Sequence, residues 1–225
     1  MTLRRNWIVA AGLLLTPAAL AWNEETLLYS INWPSGLSLG EAQISSKPAA
    51  GGFEYQMTME AALPGVPVRG EFRSRVNADG CSLEFHRENT LGARKTSEKS
   101  TFDLEAGKLV RETSGGGKSE VATGPCARDA LAFIFFLRKE LQQGRLPASQ
   151  TVYYGAAYQL KLQYGGLHQV VTQDTRVEAD RLTAMIKGPQ AEISFEVFFA
   201  RDPVRTLVQV KLPLSVGTIS MDLLR

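Results

Sequence analysis

The chain has little of what usually advertises chemistry. Its 225 residues hold two cysteines, Cys81 and Cys126, and two histidines, His86 and His168. The cysteines are too far apart for a C-x-x-C redox motif, and the histidines form neither an H-x-H nor an H-E-x-x-H arrangement. Two lone imidazoles make a poor metal set, so no metal site is assigned. Gly115-Gly116-Gly117 opens no helix, which a phosphate loop requires. A Ser–His–Asp site would have to assemble from distant positions, and no catalytic residue is assigned. No cofactor is implied. Charge of one sign is also missing: 25 basic residues face 23 acidic ones, whereas a nucleic-acid binder shows a basic excess or stripe. No Pro/Gly/Ser linker long enough to separate domains divides the chain, and no solenoid repeat is visible.

The N-terminus reads as an export signal. Arg4 and Arg5 form a charged region, Trp7 to Leu15 a short apolar one, and Ala19-Leu20-Ala21 a small-x-small cleavage site. Cleavage after Ala21 predicts a mature chain starting at Trp22, periplasmic or secreted, with no lipid-attachment cysteine and no transmembrane segment left. Removing the two signal arginines leaves 23 basic against 23 acidic residues. In an oxidising compartment a lone cysteine pair is expected to form one disulfide, here joining a strand to the entry of a helix. Two unpaired buried thiols are the alternative.

What remains after residue 21 is expected to be one β-rich domain spanning 22–225, interrupted by one helix at about 125–143. Thr26 to Trp33, a turn at Pro34-Ser35-Gly36, and Leu37 to Ser45 read as a hairpin. Phe53 to Glu60 alternates most cleanly, with its odd positions inward. Val68 to Val76 is more polar and reads as an edge or outward-facing strand. The charged stretch from Glu88 to Ser119 reads as solvated ribbon with short strands at Lys99 to Leu104 and Lys108 to Glu112. Later strands are expected at Thr151 to Tyr154, Tyr158 to Tyr164, Gln169 to Thr175, Arg181 to Lys187, Glu192 to Ala200, Val204 to Leu212 and Val216 to Leu224. Gly165-Gly166 is read as a hairpin turn between two of them.

The helix runs from Pro125, suited to a first helical position, to Gly144, suited to the stop. Leu131, Ile134, Phe135 and Leu141 share one face, while Phe133 and Phe136 lie opposite, so burial on more than one side is expected. Its unbroken apolar run, Ala130 to Leu137, is eight residues long, and a bilayer core needs roughly 20. Many short strands around one enclosed helix argue for a mainly β fold, an antiparallel barrel or strongly curved sheet.

Several stretches resemble one family of exported bacterial proteins, domain of unknown function 3108. They are Leu28 to Trp33 with Leu39-Gly40-Glu41-Ala42, then Asp129 to Arg138 with Leu141 and Gly144, and finally Asp202-Pro203-Val204-Arg205 with Gly217-Thr218-Ile219. The resemblance implies an exported, mainly antiparallel β protein and supplies no established activity. Neither cysteine belongs to the resembled pattern, so the bridge rests on the compartment.

Two charged residues of the helix segment carry weight. Asp129 suits the positive end of the helix dipole. Arg138, on the Leu131 face, needs a carboxylate from the surrounding strands, or else faces a cavity and pairs with an acidic ligand head group. The function expected is that of a non-catalytic cell-envelope carrier or sensor of an apolar, lipid-like molecule, bound by Arg138, Tyr55, Met57, Phe135 and Phe195. The rivals are a scaffold or interaction module for an envelope protein, with a filled core, and a hydrolase with dispersed catalytic residues. A large apolar cavity beside the helix favours the carrier, and a filled interior with an exposed apolar patch favours the scaffold.

Overall fold

The computed structural model describes residues 24–63, 66–173, 175–189, 192–215 and 217–224. The signal segment and the cleavage point before Trp22 lie outside the described residues. Strands β1 (Glu25–Asn32), β2 (Ser38–Ala49), β3 (Gly52–Leu63) and β4 (Val66–Asn77) follow one another through tight turns. The meander continues through β5 (Ser82–Leu91), β6 (Arg94–Asp103), β7 (Lys108–Thr113) and β8 (Lys118–Ala122). A two-residue β9 (Arg128–Asp129) leads into α1 (Ala130–Gln142). Then come β10 (Gln150–Tyr153), β11 (Ala157–Thr172) and β12 (Thr175–Lys187). The last strands are β13 (Glu192–Ala200), β14 (Leu207–Leu214) and β15 (Gly217–Leu223).

These elements make one 15-stranded sheet in the order β8-β7-β6-β5-β4-β3-β2-β1-β15-β14-β13-β12-β11-β10-β9. Neighbours are antiparallel apart from the short parallel pair β9–β10. The first half meanders outward from β1, the chain crosses to the far edge with α1, and the second half meanders back until β15 pairs with β1. Both edges curl toward each other. The Ser82 amide donates to the Ala127 carbonyl at 2.9 Å, and the Tyr153 hydroxyl reaches the Ala122 carbonyl at 3.5 Å. No ladder joins β8 to β9, so the sheet is strongly curved and open, the second of the two expected forms.

Antiparallel order sends successive turns to alternate ends of the molecule. The β1–β2, β3–β4, β5–β6, β12–β13 and β14–β15 turns share one end. At the other end lie α1, Cys81 and Cys126, which are bridged, and the β2–β3, β4–β5 and β13–β14 turns.

The helix starts later than its Pro125 suggests. Cys126 sits at φ 55°, a left-handed conformation that a helix cannot contain, and Arg128–Asp129 is extended. Asp129 is therefore the N-cap rather than a first-turn residue. Its Oδ1 accepts from the amides of Leu131 and Ala132, both at 2.9 Å. The stop falls where expected. Gly144, at φ 68°, donates to the Leu141 carbonyl, and Arg145 donates to that of Glu140, the two bonds of a Schellman motif.

Three strand expectations change. β4 is an interior strand between β3 and β5, not an edge. Its charges, Arg69, Glu71, Arg73 and Arg75, all point outward, while Gly70, Phe72, Ser74 and Val76 face the core. The charged middle is part of the same sheet and gives Phe85, Phe102 and Leu109 to the core. Gly165-Gly166 is a bulge inside the single long strand β11. Gly166 takes φ 92°, and a Cβ on Gly165 would sit 2.5 Å from the Arg181 guanidinium.

Candidate functional site

Inward positions of the sheet around the helix are largely apolar, among them Leu27, Tyr29 and Ile31 from β1, Ala42 and Ile44 from β2, and Leu182 and Ala184 from β12. A sheet this wide encloses more volume than one thirteen-residue helix fills. The remainder is a cavity of about 350 Å³ between the helix and the inner face. Ala130, Phe133, Ile134 and Leu137 of α1 form its floor. Ile44, Met57 and Met59 line one wall, and Leu162, Ile186, Phe195, Leu212 and Ile219 line the other. All of its lining residues are apolar. Such a space favours hydrocarbon and offers no side chain to hold a metal or a charged cofactor.

Exposure of the inner face grows with distance from the helix. Leu182, Phe199 and Leu207 are at most 3% exposed, whereas Ile186, Leu212 and Ile219, nearer the opposite end, are partly exposed. The helix end is closed by polar contacts among buried and part-buried side chains. Asp129 Oδ2 accepts from the hydroxyls of Ser74 and Ser82, both at 2.6 Å, and burial pushes its carboxyl up against those hydrogen bonds.

The expected site residues separate into two groups. Met57 and Phe195 line the cavity. Tyr55 and Phe135 pack toward the helix end, their rings stacked at 3.8 Å, and burial pushes the Tyr55 phenol up to about 12. Arg138, 1% exposed, is not among the lining residues. Its Nη1 and Nη2 donate to Glu25 at 2.5 and 2.9 Å, and its Nε donates to the Val204 and Arg205 carbonyls. The carboxylate partner thus comes from β1, and the head-group role foreseen for Arg138 is not carried forward.

Sequence reasoning missed two buried carboxylate clusters. Glu98 on β6 is 4% exposed and accepts from Arg87 at 2.9 Å and Arg111 at 2.6 Å beneath the β10–β11 turn. Asp180 on β12 gathers Arg201, Arg205 and Tyr164. Their members lie on different strands, so no local spacing announces them. The late cavity residues Ile186, Leu212 and Ile219 were also missed, although alternation in β12, β14 and β15 does mark their face.

Among the described residues no catalytic set gathers around the histidines. His86 contacts Glu84 on the outer face at 3.0 Å, and His168 lies edge-on to Phe198. Gly36-Leu37-Ser38-Leu39-Gly40 spells G-x-S-x-G, but it sits in a β-hairpin, whereas a nucleophile elbow joins a strand to a helix. A larger outer depression, about 530 Å³, is crossed by the exposed pairs Arg69–Glu60 and Lys95–Glu88, and its lining is mixed and mostly polar.

The chain belongs to the family described as "Protein of unknown function (DUF3108)", whose pattern matches residues 28–224. No curated protein matches it in sequence. Its fold is similar to the crystal structure of a beta-barrel-like protein of domain of unknown function DUF1849 from Brucella abortus, at TM-score 0.62 and 11% identity, covering 90% of this chain and 96% of that one. A looser likeness, at TM-score 0.36 and 9% identity over 90% of this chain and 96% of the other, is to a Bacteroides fragilis protein described as "a putative exported protein with YmcC-like fold".

Proposed function

We propose that this protein is an exported, non-catalytic carrier of an apolar, lipid-like molecule held between the helix and the inner face of the sheet. One observation carries the reading: the interior is not filled, and the space of about 350 Å³ left in it is lined by apolar residues alone. That volume lies at the small end of the range for small-molecule sites, roughly 300–1,000 Å³. Export is supported by the Cys81–Cys126 bridge, because such bonds persist in oxidising compartments, and by the tripartite N-terminus.

Native mass spectrometry of protein purified from its own envelope, followed by solvent extraction, is expected to reveal a co-purifying lipid-like molecule. Leu212→Trp places a bulky indole in the partly exposed upper wall, and the folded variant should carry several-fold less. Protein that arrives empty, and binds no fatty acid, isoprenoid or phospholipid at micromolar concentration, would sink the carrier.

A second reading has its own support. Beyond Leu160, β11 pairs only with β12, and its open edge exposes Tyr164, Leu167 and Val171. Such an edge is a template for another strand, which suits an envelope interaction module. Photo-crosslinking from position 171 in living cells tests it, and crosslinks no more frequent than from an exposed control position would remove it.

A further inference from the structure

Resting on that cavity reading, we infer that the site takes a single hydrocarbon chain tail first, through the end opposite the helix, and leaves the molecule's polar end at the rim. The class of ligand is therefore a single-chain amphiphile whose head group the protein does not read.

The chemistry of the lining gives the first argument. A hydroxyl, amide or carboxylate drawn inside would find no hydrogen-bonding side chain, at a cost of roughly 2–7 kcal/mol for a neutral group and more for a charged one. Only the hydrocarbon part can enter. A cavity near the lower limit for small-molecule sites also suits one chain better than the two of a phospholipid.

Direction follows from the two ends. At the closed end the floor is α1, pinned by the Asp129–Ser74–Ser82 contacts, the Arg138–Glu25 pair and the Cys81–Cys126 bridge. Toward the other end the inward register of β13 and β14 stays apolar beyond the cavity and out to the rim, and that of β5 ends on Leu91 past the polar Arg87 and Asn89. Ile193 pairs with Ile186 and so shares its inward face. Leu214 lies two residues beyond Leu212 on the same face of β14. Leu91 pairs with Val68, on the face of β4 that carries Phe72. Ile193, Leu214 and Leu91 are 36%, 37% and 56% exposed. An apolar path thus runs from solvent to the helix. Head-first entry would instead bring a charge to the floor, where the Arg138 guanidinium is already bonded to Glu25 and two carbonyls.

The chain carries its own depth gauge. Of its five methionines, Met57, Met59 and Met221 line the cavity. β1 runs from the helix end to the open end, and the registers place Met57 level with Leu27, Met59 with Tyr29 and Met221 with Ile31. Met57 is therefore nearest the floor and Met221 nearest the mouth. Met185 alternates with Ala184 and Ile186 and faces the outer side, where it serves as a control.

The test is methyl NMR of the full chain labelled with ¹³C at the methionine methyls, titrated with fatty acids carrying a nitroxide near either the methyl end or the carboxylate. The methyl-end label should broaden Met57 more than Met221, the carboxylate-end label should reverse that order, and Met185 should be unaffected. An unlabelled fatty acid, alcohol and alkylammonium of equal chain length should bind within about tenfold of one another. Affinity should rise about fourfold per added methylene until the chain outgrows the space. Equal broadening by both labels, an inverted order, or a preference above roughly a hundredfold for one head charge overturns the inference while leaving cavity binding intact. No shift of any lining methionine with unlabelled fatty acid overturns the cavity reading itself.

Discussion

Asp180 shows how a single side chain ties separate strands and turns together. It lies on β12, 6% exposed, beside a small second core of Val170, Ala179, Phe198, Ala200 and Val208. Burial alone would push its carboxyl up. That effect is outweighed by hydrogen bonds from Arg201 and Tyr164 and by the charges of Arg201 and Arg205, which hold it below the usual carboxylate range. A carboxyl depressed in the folded state stabilises above its unfolded value, roughly 3.9, and that stability is lost as pH falls through the folded value. Asp180→Asn is expected to cost on the order of 2 kcal/mol at neutral pH, from hydrogen bonds to a charged acceptor. Denaturant titrations of both proteins across the acid range should show the gap closing below about pH 4. A gap that stays constant with pH would mean the charge is not what stabilises. On the helix Phe135 has the comparable role, buried against Tyr55 and 5.6 Å from the Arg138 guanidinium. Phe135→Ala should cost about 3–5 kcal/mol through lost transfer energy and a new cavity. A loss under about 1 kcal/mol in a reversible titration would place that ring outside the core.

Among the elements, α1 depends on how the chain enters it. The bridge spans a sequence separation of 45 and fixes the segment before β9 against the start of β5. Seven residues of the helix are buried, on more than one face, so the helix is held by strands rather than by its own propensity. In the loop-entropy account a crosslink of this span contributes about 4 kcal/mol. Denaturation of the Cys81→Ala/Cys126→Ala double variant should show a loss approaching that figure. Intact-mass analysis after alkylation without reductant should add no alkyl group to the unaltered protein, even once denatured. Uptake of two groups would rule the bridge out. The β10–β11 turn is the other pinned element: Gly155, at φ 70°, comes so close to Arg87 and Glu98 that a Cβ would meet both within 3.2 Å. Tyr154 packs beneath the Arg87 guanidinium at 4.4 Å. Side chains, not a backbone ladder, hold this part of the interior together.

For the molecule as a whole, the open curl decides both shape and cavity. A sheet joined at its centre by β1–β15 and unpaired at β8 and β9 can wrap widely enough to surround a helix and still leave space beside it. Among the described residues no helix is long and apolar enough to cross a membrane. Export belongs to this scale too. N-terminal sequencing of protein recovered from the periplasm is expected to begin at Trp22, and membrane-bound material beginning at Met1 would defeat the expectation.

The sequence by itself determined the β-rich class, the helix stop at Gly144, the inward odd positions of β3 and the partner residues of the disulfide. Each follows from a local rule: two-residue alternation, a glycine free to turn left-handed, a lone cysteine pair. Tertiary structure alone decided that β4 is interior, that β11 is one strand and that Arg138 belongs to Glu25. Polarity along β4 looked like an edge because a strand does not reveal that a charge such as Arg69 can pair with Glu60 of its neighbour on the outer face. Gly165-Gly166 reads equally well as a turn or a bulge until the register with β12 is known. The carboxylate for Arg138 lies 113 residues away, and no periodicity reports a contact at that distance. The cavity is of the same kind. Alternation says which side chains face inward, but whether they meet depends on the curvature of all fifteen strands together.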